Sequence, residues 1–132
     1  MINNVLITGS QGYIGTNLCD YIRKNSEVNI YHADKSTGTP VEFLDYLQNI
    51  DFVVHLAAYP GVKNCNNNFD AAIMDNICSA FTVFKAAQKA KVPVIFTSSQ
   101  AAKEPFQNLY ASIKGAIEIE ARRINTVGGD IR

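Results

Sequence analysis

Short apolar runs alternate with stretches of helical periodicity along the whole chain. Four runs rich in apolar and β-branched residues predict strands, at residues 5–8, 28–32, 52–58 and 92–97. Apolar residues recur at helical spacing from the end of the first run to residue 25, and again over residues 41–48, 69–91 and 109–124. Strands that alternate with helices in this way predict a parallel sheet with right-handed crossovers and helices on both faces.

The predicted fold class is α/β, a Rossmann-like three-layer αβα sandwich whose mainly parallel sheet has about four to five strands. We assign residues 1–132 to a single domain, since no internal repeat or linker interrupts the pattern. A chain of 132 residues with 47% hydrophobic residues can close one core, because domains of this size bury roughly 65–70% of their unfolded surface.

Composition and charge exclude several classes of partner. The formal net charge is zero and the 12 basic residues are scattered, so we expect no nucleic acid partner. No basic stretch precedes the first apolar run, and no run approaches the ~18 residues that span a bilayer, so we expect no membrane partner. Three cysteines without a C-x-x-C pair indicate reduced thiols, no metal site and a cytoplasmic protein.

The first strand leads into a glycine-rich turn, T-G-S-Q-G-Y-I-G, over residues 8–15. Gly9 permits the tight turn, Gly12 lets the backbone approach a pyrophosphate, and Gly15 lets helix and strand pack closely. The helix that follows adds free N–H groups and the positive end of its dipole. The alternative is that the glycines only break a turn, but their position directly between strand and helix favours a dinucleotide site.

Asp34 lies just past the second predicted strand, about 20 residues beyond the glycines, where an acidic side chain can accept both ribose hydroxyls of an adenosine. A 2′-phosphate would meet like charge there, so NAD is favoured over NADP. Lys35 beside it could compensate that charge. Asp34 could also be an ordinary loop carboxylate.

Five short motifs in the right order carry a resemblance to a known family. Besides the turn at 8–15, they are D-F-V-V-H-L-A-A at 51–58, Asn76 within D-N-I, T-S-S at 97–99 and Y-A-S-I-K at 110–114. Together they resemble the extended short-chain dehydrogenases/reductases. The piece H-L-A-A-Y-P-G-V-K at 55–63 is similar to the H-L-A-A-x-x-G-V-R of epimerases that act on UDP-linked sugars.

The resemblance implies an NAD-dependent epimerase or dehydratase that acts on a nucleotide sugar, with a UDP-sugar as first choice, by transient hydride transfer to the cofactor. It also implies cofactor contacts in the glycine turn, at the end of the third strand, on the helix at 69–91 and on the last helix. The residues concerned are Gly9, Gln11, Gly12, Tyr13, Ile14, Gly15, Leu56, Ala57, Ala58, Asn76 and Lys114.

Ser99, Tyr110 and Lys114 are the candidate catalytic residues. Tyr110 and Lys114 lie four residues apart and so share a helix face. A nearby ammonium and a positively charged nicotinamide favour a phenolate, which makes Tyr110 the candidate proton acceptor. The resemblance implies that Lys114 also binds the nicotinamide ribose and that Ser99 hydrogen-bonds the reacting sugar hydroxyl. Because Y-x-x-x-K is also common on solvated helix faces, that alternative stays open.

Three other residues have two interpretations each. His55 lies in a predicted buried strand, and we expect a hydrogen-bonded core histidine rather than a base or ligand. Asn76 could satisfy backbone groups instead of contacting a cofactor. Lys63 either approaches the nicotinamide end, as its family counterpart does, or is a solvated loop lysine.

The chain departs from the family pattern in three places. Between Asp34 and Asp51 the family has another strand and helix, whereas only the helix at 41–48 fits here. The V-Y-G motif that usually follows Ser99 is absent. Family members continue into a C-terminal substrate domain, and we expect this domain to be lacking. An alternative function is therefore an NAD-binding module without turnover, or a subunit that another chain completes.

We expect a homodimer that forms through the helices at 69–91 and 109–124. Both outer strands of a reduced sheet would be open edges. The two helices also carry more apolar residues than one face can bury, namely Ile73, Ile77, Phe81, Phe84, Ile113, Ile117 and Ile119. The resemblance implies that these helices pair with their symmetry mates in a four-helix bundle.

Overall fold

The computed structural model describes residues 2–34 and 47–132. The strands are β1 (Asn4–Thr8), β2 (Asn29–Ala33), β3 (Phe52–His55) and β4 (Val94–Phe96). The α-helices are α1 (Tyr13–Asn25), α2 (Val62–Asn67), α3 (Phe69–Ala72), α4 (Ser79–Ala90) and α5 (Leu109–Thr126). A π-helical segment, Ile73–Cys78, joins α3 to α4, and short 3₁₀ helices occupy Leu47–Asn49 and Gln100–Lys103. Lys35 and residues 41–46 of the predicted helix at 41–48 lie outside the described residues.

The four strands form one parallel sheet in the order β2-β1-β3-β4. Thr8 at the end of β1 pairs with Ala33 of β2 on one side and with His55 of β3 on the other, so the carboxyl ends of these strands lie side by side. The chain adds β2 on one side of β1, and then β3 and β4 on the other side, so the order of strands reverses between β1 and β3 and creates a switch point there. In open α/β sheets ligands bind at such a point, outside the carboxyl ends of the strands.

Helices cover both faces of the sheet, because successive strand residues point to opposite sides. Ile7 packs with Cys19 of α1 in the smaller of two cores. Leu6, its neighbour, packs in the larger core with Phe84 of α4 and Ile113 of α5. The predicted three-layer αβα sandwich with a parallel sheet is therefore confirmed.

Two predicted elements differ in detail. The strand predicted at 52–58 ends at His55, and beyond it the Ala57 N–H turns to the Thr8 side chain. The helix predicted at 69–91 has the π-helical segment in its middle, and its last α-helical residue is Ala90. Lys91 caps it in a left-handed conformation with φ +58°. Helix α2 was not predicted, because six residues give too short an apolar pattern.

The outer edge of β4 is paired, which corrects the expectation that both outer strands are open edges. Ile131 forms a parallel bridge with Val94, and the N–H groups of Val94 and Phe96 donate to the carbonyls of Asp130 and Arg132, both at 2.8 Å. The Asn125 side chain holds this segment, since its amide donates to the Ile131 carbonyl at 2.7 Å and accepts from the Ile131 N–H at 2.8 Å.

Most apolar residues on the long helices are used within the chain. Phe84, Ile113 and Ile117 are buried in the larger core, and Ile73, Ile77 and Phe81 are partly buried against it. The argument that these residues exceed what one face can bury is therefore wrong for most of them, although Ile119 is 68% exposed. None of the helices in the described ranges has the length and apolarity that a membrane span requires.

Candidate active site at the carboxyl ends of the strands

The glycine turn between β1 and α1 depends on two close backbone approaches. Gly9 has φ +69°, and a Cβ on it would lie 2.7 Å from the Ala57 backbone nitrogen. A Cβ on Gly15 would lie only 2.2 Å from the Gly9 carbonyl oxygen. Since real side chains do not tolerate such contacts, only glycine fits at these two positions, as the sequence predicts for Gly9 and Gly15.

The turn fits the pyrophosphate of a dinucleotide. No side chain from the described residues caps the N-terminus of α1, where Gly12 is the N-cap residue. The first N–H groups of α1 are therefore left for an anion at the positive end of the helix dipole. A Cβ on Gly12 would lie 3.3 Å from the Gly9 carbonyl oxygen, so a side chain would crowd the approach. Gln11, Tyr13 and Ile14 are exposed beside it.

Asp34 lies immediately after β2 and reaches the glycine turn. The Ser10 hydroxyl donates to Asp34 Oδ2 at 2.5 Å, and Ser10 is buried. This bond joins the carboxylate to the turn that would hold the cofactor phosphates, which is where an adenosine ribose would follow.

Lys114 is the most unusual charged residue of the site, because only 4% of it is exposed. Its Nζ donates to the Thr97 carbonyl at 3.0 Å and lies 5.9 Å from the centre of the Tyr110 ring. Burial lowers the pKa of Lys114, and the nearby Cys65 thiol opposes this shift. The alternative of a solvated helix face is therefore wrong for Lys114.

Tyr110 lies on the same helix as Lys114, and Ser99 lies on the element that follows β4. Tyr110 is half-buried near the N-terminus of α5, and Ser99 is half-buried at the N-cap of the 3₁₀ helix that follows β4, where its Oγ accepts from the Ala101 N–H at 3.2 Å. This 3₁₀ helix packs on α5, since a Cβ on Gly115 would lie 3.5 Å from the Ala102 carbonyl oxygen. The structure thus brings Tyr110 and Lys114 together and places Ser99 on the adjoining element.

Asn76 lies in the π-helical segment and is 2% exposed. Its Oδ1 accepts from the Tyr59 N–H at 3.0 Å, and its Nδ2 donates to the carbonyls of Tyr59 at 3.0 Å and Ala72 at 2.9 Å. Cys65 Sγ also donates to the Tyr59 carbonyl, at 3.4 Å. Asn76 therefore satisfies backbone groups and fixes the loop that leaves β3, and a cofactor contact there stays a prediction.

His55 is the hydrogen-bonded core histidine that the sequence predicts. It is 5% exposed, and its Nδ1 lies 2.7 Å from Thr8 Oγ1, which also accepts from the Ala57 N–H at 3.2 Å. Burial, together with the positive charge of Lys114, lowers the pKa of His55 to about 4. The sequence does not reveal Thr8 and Thr97 as partners, because each belongs to a strand end that only the assembled sheet brings near.

A small cavity with space for about one water molecule lies between β3, β4, α4 and α5. Its polar lining comes from His55, Asn76, Thr97 and Lys114. The site has two sides at the same end of the sheet. The glycine turn can hold the phosphates of a dinucleotide, and the Tyr110 phenol beside the Lys114 ammonium can move a proton.

Fold and site together define a dinucleotide-binding protein of the short-chain dehydrogenase/reductase type. The NAD dependent epimerase/dehydratase family model matches residues 5–116, and the chain belongs to this family. NAD, the expected cofactor, is therefore the cofactor of the family.

Three relatives show the range of the likeness. UDP-glucose epimerase YtcB of Bacillus subtilis (strain 168), described as uncharacterized, is 24% identical over 123 residues that cover 72% of this chain and 39% of the relative. MoeE5 in complex with UDP-glucose and NAD superposes with a TM-score of 0.82 at 23% identity, over 98% of this chain and 52% of that one. L-threonine dehydrogenase from Clostridium difficile superposes with a TM-score of 0.84 at 16% identity, over 95% of this chain and 50% of that one. The chain thus spans about half the length of these relatives or less.

Proposed function

We propose that this chain carries the cofactor-binding and acid–base part of an NAD-dependent epimerase or dehydratase that acts on a nucleotide sugar, a UDP-sugar in the first instance. The observation that carries the proposal is the buried Lys114, which the Thr97 carbonyl holds with its ammonium 5.9 Å from the centre of the Tyr110 ring. A lysine that only solubilises a helix would not be buried in this way.

The residues divide the work between binding and proton transfer. The N–H groups at the start of α1 would hold the pyrophosphate, and Asp34 would accept the adenosine ribose hydroxyls. Six further residues around the turn and after β3 would line the path of the cofactor. They are Gln11, Tyr13, Ile14, Leu56, Ala57 and Ala58. NAD, when bound, supplies a reversible acceptor for a hydride from a sugar carbon.

Proton transfer falls to residues of α5 and its neighbour. Tyr110 would take the proton of the reacting sugar hydroxyl, and Ser99 would orient that hydroxyl by a hydrogen bond. Lys114 would place a positive charge beside the phenol and bind the nicotinamide ribose. The Thr97 carbonyl accepts from one of the three N–H groups of the Lys114 ammonium. The other two N–H groups would then serve the phenol and the nicotinamide ribose.

Calorimetric titration of the chain with NAD and with NADP tests the cofactor assignment. We expect NAD to bind about tenfold tighter, because Asp34 would face the extra phosphate of NADP. Asp34→Asn should narrow this difference, whereas Asp70→Asn, at an exposed position of α3, should leave it unchanged. Equal affinities of the wild type for the two cofactors would remove Asp34 from this role.

A second candidate is an NAD-binding module without turnover, or a subunit that another chain completes. The observation that favours it is the coverage, since the chain spans 39% of YtcB and 52% of MoeE5. Titration with UDP-glucose after saturation with NAD separates the two candidates. Binding of both ligands supports the enzyme, and binding of NAD alone supports the module.

We further propose that the chain acts as a homodimer in the cytoplasm. Phe69, Met74 and Ile119 support the dimer, since each is more than half exposed on the helices that would pair. A stable interface of this kind buries about 1,200–2,000 Å² in total. Light scattering should give twice the monomer mass, and Ile119→Glu should return it to the monomer mass. A monomer mass for the wild type at tens of micromolar would contradict the dimer.

The proposed cytoplasmic location is supported by the cysteines. All three of them, Cys19, Cys65 and Cys78, are free thiols, as expected in a reducing compartment.

A further inference from the structure

The side of the sheet that carries α1 has an apolar surface over β3 and β4. Phe52 and Val54 of β3 point to this side and are only partly buried against the smaller core. Ile95 of β4 is in register with Val54, so it points to the same side, and 45% of it is exposed. Among the residues that the structure describes, the cover on this side therefore extends over β1 and stops short of β4.

Helix α1 forms one wall of this surface. Arg23 lies on the flank of α1 that faces β2, since its Nη2 is 3.5 Å from His32 Nε2. Tyr21 is about 200° around the helix from Arg23, so it lies on the opposite flank, which faces β3. Ile14 is two turns before Tyr21 on that flank, and the two residues are 61% and 66% exposed. The apolar surface of the strands thus continues up the side of α1.

A polar rim closes the surface on its far side. Ile131 points into the larger core, so its neighbours Asp130 and Arg132 point to the side of α1. These two residues form an exposed ion pair, with Arg132 Nε 2.8 Å from Asp130 Oδ1. An apolar centre with a polar rim is typical of surfaces that bind another protein. We name this surface the β3–β4 groove, made of Ile14, Tyr21, Phe52, Val54 and Ile95.

The β3–β4 groove has the width of one helix. Neighbouring strands lie about 4.8 Å apart, so two strands present a strip about 10 Å wide. Packed helix axes lie about 8–10 Å apart, which is the width of this strip. A helix in the groove would therefore lie beside α1 and cover β3 and β4, as α1 covers β1.

A second copy of this chain does not match the groove. In a two-fold contact through this surface, each copy would place its own α1 on the open strands of the other. The outer face of α1 is polar and exposed, with Asn17, Asp20 and Lys24. Burying these residues against Val54 and Ile95 would remove their water without supplying hydrogen-bond partners. The groove instead requires a helix with an apolar face.

Solved structures of the same fold contain about as many residues again as this chain. MoeE5 superposes over 98% of this chain, which is 52% of MoeE5, and for the Clostridium difficile enzyme the shares are 95% and 50%. We propose that the β3–β4 groove binds a helix, apolar on one face, from a second polypeptide that supplies the substrate-binding half. This inference rests on the second candidate function, a subunit that another chain completes.

Photo-crosslinking tests which molecule occupies the groove. The full chain, with benzoylphenylalanine in place of Ile95, is produced in the cells that normally make it, and the cross-linked peptide is sequenced by mass spectrometry. We expect a peptide of a different polypeptide, with apolar residues at every third or fourth position. The same group in place of Tyr31, which is 40% exposed on β2 and points to the opposite side of the sheet, should not yield this peptide.

Three results of this experiment would overturn the proposal. One is a cross-link only to a second copy of this chain. Another is a cross-link to a further segment of one longer polypeptide that contains this sequence. The third is the absence of any cross-link at Ile95 beyond those found at Tyr31.

Titration of the identified partner against the purified chain tests the groove itself. Ile95→Glu should weaken binding about tenfold or more, because it places a charge at the centre of the interface. Tyr21→Glu, on the α1 wall, should act in the same direction. Val127→Glu is the matched control, since Val127 is 59% exposed beyond the end of α5 and should leave the affinity unchanged. Wild-type affinity in both groove variants would overturn the proposal.

NAD affinity separates this proposal from the proposed function. Ile95→Glu should bind NAD as the wild type does, which also shows that the variant folds. Failure of the wild type to bind NAD would overturn the proposed function, whereas the cross-link and the partner affinity would still decide the occupant of the groove.

Discussion

The two sides of the candidate site are built in different ways. The glycine turn is made of backbone from eight consecutive residues, 8–15, and its geometry follows from which of them lack a Cβ. The α5 side is made of side chains whose settings come from distant segments: Thr97 holds Lys114, and Cys65 lies near enough to affect its charge. The turn is thus a local structure, whereas the α5 side exists only when the sheet and several helices have assembled.

The substitution with the largest expected effect lies on the α5 side, because that side would carry the proton transfer and its loss would lower turnover. Tyr110→Phe removes the phenol oxygen and should lower any epimerase or dehydratase turnover about 10²–10⁴-fold, since this is the usual contribution of a general acid or base. NAD affinity should stay almost unchanged. Tyr21→Phe, at an exposed position of α1, is the matched control. Undiminished turnover in Tyr110→Phe would remove Tyr110 from the acid–base role.

A pair of glycine substitutions compares the packing of the two sides. Gly15→Ala places a Cβ 2.2 Å from a carbonyl oxygen and should lower the free energy of unfolding by about 3 kcal/mol. Gly115→Ala places it 3.2 Å from the flexible ring of Pro105 and should stay within about 1 kcal/mol of the wild type. Both residues are helical, so the gain in helix propensity cancels in the comparison. Chemical denaturation measures both values, and equal losses would contradict the difference.

The pH dependence of stability tests the link between the two sides of the site. His55 connects them, because it contacts Thr8 on the turn side and experiences the charge of Lys114 on the α5 side. The pKa of His55 falls from 6.5 to about 4 on folding, so the unfolded chain binds the additional proton between these values. The free energy of unfolding should therefore decrease by about 2 kcal/mol from pH 7 to pH 5 through this residue. His55→Asn should remove that slope and His32→Asn should retain it. An unchanged slope in His55→Asn would show that other groups cause it.

The smallest expected difference in the free energy of unfolding is between substitutions of two serines, one on each side of the site. Ser10→Ala removes a buried hydroxyl bonded to Asp34 on the turn side and should lower the free energy of unfolding by about 1 kcal/mol. Ser98→Ala removes an exposed hydroxyl bonded to Glu118 on the α5 side and should cost about 0.5 kcal/mol or less. NAD affinity should fall in the first variant only. A larger loss in Ser98→Ala would reverse the comparison.

The same contrast explains how much of the fold was predictable. Strand and helix periods extend over many residues, and they predict the order of elements and the parallel sheet. The end of β3 at His55, the left-handed Lys91 and the pairing of Ile131 with Val94 are not periodic features. The first and third of these features depend on hydrogen bonds to residues far along the chain, which a local pattern does not contain. At Lys91 the bonds are local, to Ala87 and Gln88, but a lysine does not signal the left-handed conformation as a glycine would.

For the site, the sequence predicts what is local and misses what is assembled. The special roles of Gly9 and Gly15 follow from their spacing after a strand, and the structure contains the close approaches that require them. The burial of Lys114 could not be predicted, because it results from contact with the end of β4. The apolar residues of the long helices were assigned to a partner surface, whereas Phe84 and Ile117 fill the core of the chain itself.

The π-helical segment Ile73–Cys78 has a consequence for how this chain tolerates insertion and deletion. A π turn accommodates more residues than an α-helical turn of about the same height, so this segment takes up one extra residue between α3 and α4. Deleting one residue here would allow a continuous α-helix with little rotation of α4 relative to α3, because about six residues of π-helix turn as far as about five residues of α-helix. The same deletion in the middle of α4 would rotate everything after it by about 100°. A single-residue deletion should therefore be tolerated better in this segment than in α4, provided that Asn76 is kept as the partner of Tyr59.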